Sequence, residues 1–362
     1  MRCGEIKFWF CLLLAVLLAG CASPGVPLPP SLELARPVND LRAARKSDRV
    51  RLTWTNPTQT TDHQNLRHGG VVEVCRTLGV AMKACGSPVA RIPFQAPSRN
   101  VNANQNQGSY TDQLALGEQV SPTAEFVYAV NVLNPYSRSA GLSNQVQVPA
   151  APTLPPPSEF HAQLTAEGVQ LSWAVVTPPQ VPGLRFVYRI YRREQGGNKD
   201  VIAGEVPVST QESPSLLDHS FEWEKTYDYR ATVVTIITAP NGTEQQVEGE
   251  DTPAARVEAH DVFPPAAPGG LQAVFSGPGQ KPFIDLVWTP NSEPDLAGYN
   301  VYRRDESGGE AVKLNSDLIK SPAFRDTEVA PGHQYVYAVS AMDVRGNESP
   351  RSEEAAESVP AQ

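Results

Sequence analysis

The chain has 362 residues, 34 of them proline, and a formal net charge of −9. That length exceeds one small core and fits two or three domains of ordinary size. The acidic excess lies late, with 16 acidic against 8 basic side chains in residues 151–262 and 14 against 8 in residues 263–362. A surface of that sign repels phosphate, which excludes nucleic acid as the partner.

The N-terminus is MRCGEIKFWFCLLLAVLLAGCAS. Arg2 and Lys7 precede an apolar run from Phe8 to Leu18, too short to span a bilayer and matched to a secretory signal peptide. Leu18-Ala19-Gly20-Cys21 resembles the lipobox of bacterial lipoproteins. The resemblance implies that residues 1–20 are removed and that Cys21 becomes the lipidated first residue, tying the chain to a membrane. Ala22 follows, where the Asp resembling an inner-membrane retention signal is absent, so the expected site is the outer membrane, facing the periplasm or the cell surface. ASPGVPLPPS (22–31) makes residues 21–36 a proline-rich tether, stiff and extended.

Cys3 and Cys11 leave with the signal, and Cys21 carries lipid. Cys75 and Cys85 remain, at the two ends of a predicted hairpin, and an oxidising compartment favours a disulfide between them. Zinc needs four ligands, and no Cys/His pair stands near in sequence.

From there four landmarks recur three times in the same order. RLTWTNP surrounds Trp54, VQLSWAV surrounds Trp173 and IDLVWTP surrounds Trp288. Alternating strands follow: VVEVCR ending at Arg76, VYRIYRR ending at Arg193 and YNVYRR ending at Arg304. Then come SYTD to Asp112, SLLD to Asp218 and AFRD to Asp326, and last FVYAV from Phe126, YDYRATV from Tyr227 and YVYAV from Tyr335. A period of about 110 residues made of strand signals alone predicts tandem β-sandwiches rather than a solenoid of short repeats.

This arrangement resembles the fibronectin type III family from about Pro37 onward, and implies an all-β chain of three immunoglobulin-like sandwiches behind the lipoprotein signal peptide. The expected domains span residues 37–150, 151–262 and 263–362. The family's buried Trp maps to Trp54, Trp173 and Trp288. Its tyrosine corner maps to Tyr335 after Val329-Ala330-Pro331-Gly332, and less closely to Tyr227 after Phe221. Phe126 holds that position in the first repeat, so the corner hydroxyl bond is lost there. PAAPTLPPPSEF (149–160) and FPPAAPGG (263–270) separate the repeats as stiff linkers.

Catalytic patterns are not found. There is no Gly-rich phosphate loop, GxSxG, HExxH or EF-hand spacing, and no cofactor or metal site is expected. His63 and His68 stand five apart, not the four of a helical metal pair. Asp218-His219-Ser220 are neighbours in sequence, which cannot converge as a triad. Glu293 and Asp295 fall short of the six to eight oxygens of a calcium site.

The expected function is therefore non-enzymatic, a lipid-anchored binding or spacer protein whose partner is another protein or an envelope polysaccharide. The alternative is an accessory subunit of an envelope secretion or polysaccharide-handling complex. The first repeat has the longest loops, and its connections Asn56 to Gly70 and Pro93 to Ser109 are expected at one pole. Loops on a rigid scaffold are where binding resides, and Leu66, Arg67, Phe94 and Arg99 are the candidate contact residues.

Overall fold

A computed structural model describes residues 32–96, 106–115, 123–209, 213–239 and 242–361. The signal sequence, Cys21 and Arg99 lie outside these residues. Among the described residues no helix is long and apolar enough to cross a membrane.

The first repeat holds β1 (Arg42–Lys46), β2 (Arg49–Thr55), β3 (Gly70–Leu78), β4 (Pro88–Phe94), β5 (Gln107–Gln113), β6 (Glu125–Leu133) and β7 (Val146–Pro149). Side chains alternate across a strand, so in β2 Val50, Leu52 and Trp54 all turn inward and are at most 2% exposed. Antiparallel pairing gives the order β1-β2-β5 in one sheet and β4-β3-β6-β7 in the other. Leu41, Val72, Val74, Tyr128 and Val130 close the core between them. Trp54 lies opposite Gly108, where a Cβ would come within 2.3 Å of the indole.

The second repeat holds β8 (His161–Thr165), β9 (Gly168–Ser172), β10 (Leu184–Glu194), β11 (Val201–Pro207), β12 (Ser215–Asp218), β13 (Thr226–Thr238), β14 (Glu244–Asp251) and β15 (Ala255–Glu258). The third holds β16 (Gln272–Phe275), β17 (Ile284–Val287), β18 (Leu296–Asp305), β19 (Val312–Lys313), β20 (Ala323–Asp326), β21 (Gln334–Asp343) and β22 (Ala355–Ser358). Their small sheets run β8-β9-β12 and β16-β17-β20, and the larger ones follow β11-β10-β13 and β19-β18-β21-β22, with β14 and β15 both against β13. Trp173 and Trp288 are 4% and 5% exposed, each at the centre of its own core. The fold is all-β, built of fibronectin type III sandwiches, as the repeated landmarks imply.

The corner aromatics behave as their side chains dictate. Tyr335 accepts the amide of Ala330 at 3.0 Å, and Tyr227 accepts that of Glu222 at 3.1 Å. Phe126 is buried in the same place without that bond. The chain divides into two compact units, one made of the residues up to 152 together with 237–247, the other of 153–236 and the residues from 248 onward.

The recurring Asp has a structural meaning in every repeat. Asp112, Asp218 and Asp326 are at most 5% exposed, and each accepts a buried phenol: Tyr128 at 2.6 Å, Tyr229 at 2.9 Å and Tyr337 at 2.9 Å. The same oxygens pair with Arg76, Arg192 and Arg303 at 2.7, 2.6 and 2.7 Å. Each guanidinium then covers the corner ring, with Cζ 5.4 Å from Phe126, 5.2 Å from Tyr227 and 5.1 Å from Tyr335. Burial, then the adjacent carboxylate, pushes all three phenols far above their ordinary range.

Candidate functional site

The connection from Asn56 to Gly70 is an ordered shelf rather than loose insertion. Thr60, fully buried, bonds through its hydroxyl to Asp62 and to both backbone groups of Gln64, which tightens the turn. His63 adopts a left-handed φ of 64° at its tip. The incoming chain pairs with this shelf: Thr61 donates to the Leu34 carbonyl and Arg36 to the Gln59 carbonyl. Side chains repeat the link, with Arg36 2.6 Å from His63 and His68 2.6 Å from Glu33.

The described ends of the two enlarged connections meet: Asn56 donates to the Asn106 carbonyl, the Asn106 side chain returns a bond to the Asn56 carbonyl, and Gly70 pairs with Phe94. Gly70 is required at the start of β3, where a Cβ would meet the Leu133 carbonyl oxygen at 1.9 Å. The four candidate contact residues divide by location. Leu66 is 8% exposed and belongs to the core, so it offers nothing to a partner. Phe94 packs partly against that same core, and Arg67 is exposed. Periodicity and loop length do not single out Tyr136, because its NPYS context reads as an ordinary turn. Yet it is 83% exposed, on a turn that the Asn134 carboxamide fixes through the amides of Tyr136 and Arg138.

A second presented loop follows β3. Cys75 and Cys85 form a disulfide with Cα atoms 5.5 Å apart. Within the closed segment, Met82 donates its amide to Gln145 Oε1 at 2.8 Å and accepts Gln145 Nε2 at 2.7 Å. The loop is pinned twice, yet Leu78 and Val80 are 50% and 68% exposed. Apolar side chains held out on a braced loop suit contact with another surface, since little ordering entropy is left to lose.

The third cluster joins loops of the second and third repeats. Carboxylate oxygens of Asp261, Asp295 and Asp343 lie within 4.8 Å of one another. Asp261 precedes the linker, Asp295 precedes β18 and Asp343 ends β21, so only folding brings them together. Hard oxygen donors of this kind are what calcium takes, but three carboxylate oxygens supply at most half of the usual six to eight ligands. Arg345 already approaches Asp261 at 3.3 Å. Burial opposes ionisation of Asp343, yet the Asn347 side chain and the amides of Asn347, Arg345 and Gly346 hold its carboxyl below the ordinary value.

No family model matches the chain. Two amylopullulanases are similar to it over one repeat's length: that of Thermoanaerobacterium saccharolyticum, 38% identical over 95 residues, and that of Thermoanaerobacterium thermosulfurigenes, 38% identical over 98. The matches take in 26% and 27% of this chain but only 7% and 5% of those proteins. Among solved structures, a Fn3-like protein from Clostridium thermocellum is 37% identical, covering 27% of this chain and 96% of its own at a TM-score of 0.23. The chicken CNTN1 FN1-FN3 domains are 14% identical, covering 90% of this chain and 99% of theirs at a TM-score of 0.26.

Proposed function

We propose that this chain, a tandem array of three fibronectin type III domains, is a lipid-anchored, non-enzymatic binding and spacer protein of the bacterial cell envelope. The lipobox-like Leu18-Ala19-Gly20-Cys21 supports the anchor. The observation that carries the binding role is the bracing of both presented loops on the first domain, one by the incoming chain and one by the disulfide and Gln145. Bracing of this kind pre-orders a contact surface.

The amylopullulanase relatives favour a second reading, an accessory component of polysaccharide handling. Crosslinking in intact cells followed by mass spectrometry separates the two. A contact protein yields one stoichiometric protein partner that is lost on Arg67→Ala or Val80→Asp, whereas an accessory to polysaccharide handling is retained on an α-glucan column. Recovery of neither removes the binding role. For the anchor, Cys21→Ser should abolish both acyl labelling and cleavage, and a labelled variant would refute it.

A further inference from the structure

The segment between the second and third domains, rich in proline, is bonded on both sides. Toward the second domain, Glu224 donates its amide to the Ala259 carbonyl, Ala259 donates to the Lys225 carbonyl, and the Asp261 amide reaches Glu224 Oε1. Toward the third, Asn347 Nδ2 reaches the Asp261 carbonyl at 3.1 Å, the Ala266 amide reaches Glu293 at 2.7 Å, and Asn291 Nδ2 reaches the Ala266 carbonyl at 2.8 Å.

One side chain spans the joint. Arg345, in the turn after β21, places Nε 3.1 Å from Glu224 and Nη1 3.3 Å from Asp261, with its Cζ 5.9 Å from the Trp223 ring. Trp223 in turn meets Phe263 of the linker at 6.2 Å. His260 supports Glu224 from the far side at 2.5 Å. Asp261 and Asp343 are 5% and 2% exposed, and Asp295 adds a third carboxylate. Arg345 therefore joins the domains and also answers acidic charge that would otherwise repel across the joint.

We infer that Arg345 is a latch that makes the second and third domains move as one body, so that side-chain contacts across the joint, and not the stiffness of its proline-rich linker alone, fix this arm. The inference deepens the spacer reading and rests on it for its use. A rigid arm holds a set reach, whereas a free joint lets it fold back.

Pulsed electron–electron resonance on the full chain tests this, with spin labels at Gln163→Cys on β8 and Lys281→Cys before β17, both exposed positions. The chain lacking either introduced cysteine supplies the background. The parent should give one narrow distance distribution. Arg345→Ala should lose that single peak, and Glu224→Gln, made in the other domain, should broaden it without threatening the third domain's fold. A broad parent distribution overturns the rigid arm, and a narrow peak surviving in both variants overturns Arg345 as its latch. Neither result bears on partner capture, and a lost partner beside an intact narrow peak would strike the binding role alone.

Discussion

Tyr229 donates its phenolic hydrogen bond to Asp218 at 2.9 Å, both residues being at most 2% exposed. The same carboxylate takes Arg192, and the Arg covers Tyr227, so one Asp ties β10, β12 and β13 across the two sheets of its sandwich. The pattern recurs at Asp112 and Asp326.

Replacing Asp218 with Asn should therefore do more than remove a hydrogen bond. It leaves the mostly buried Arg192 without its counter-charge, at a cost of about 3 kcal/mol. Burial raises the Asp218 carboxyl, but Ser220, Tyr229 and Arg192 together bring it below its ordinary 3.8. A group depressed in the folded state stabilises above its unfolded value, so this contribution is present above about pH 4 and is lost as pH falls through the lower folded value. Urea titrations from pH 6 to pH 2 should show a flatter acid limb in Asp218→Asn than in the parent. Parallel limbs would remove Asp218 from the acid response.

Reduction should weaken the first domain selectively. Cys75 and Cys85 stand 10 residues apart, and closing so short a loop contributes about 2–3 kcal/mol. Thermal unfolding with and without a phosphine reductant checks this. The transition of the first domain should move down, and those of the other two domains should stay in place.

Gly108→Ala should destabilise the first domain by about 1–3 kcal/mol, the usual cost of overfilling a packed core. The new methyl would sit 2.3 Å from the Trp54 indole, which already spends its Nε1 proton on Asn56. A fluorescence-monitored denaturant titration should show the loss, and an unchanged midpoint would mean that the indole moves aside freely.

Leu66→Ala and Arg67→Ala are adjacent substitutions with opposite expected outcomes. Leu66 lies in the core, so its truncation should cost about 2–4 kcal/mol. Arg67 is exposed, so its truncation should leave unfolding within about 0.5 kcal/mol of the parent. Any loss of partner recovery with Arg67→Ala then reports contact rather than folding. Circular dichroism on both proteins, beside the crosslinking yield, separates the two effects.

Local periodicity made the sandwiches legible. A strand turns every second side chain inward, so RVRLTWT announces Val50, Leu52 and Trp54 as core without any knowledge of their partners. The three Trp landmarks, the missing hydroxyl at Phe126 and the pairing of Cys75 with Cys85 are all visible at that range. Leu66 misleads for the same reason. In a connection it obeys no period, and only the folded shelf turns it into the core while leaving Arg67 in solvent. Asp261, Asp295 and Asp343 are separated by 34 and 48 positions, and Met82 and Gln145 by 63. Such contacts depend on how loops from different strands are stacked at one end of a sheet, and a linear pattern holds no record of that. The twofold residue period decided what is core, whereas tertiary closure decided which polar groups meet, and the braced loops and the latch at Arg345 belong to the second kind.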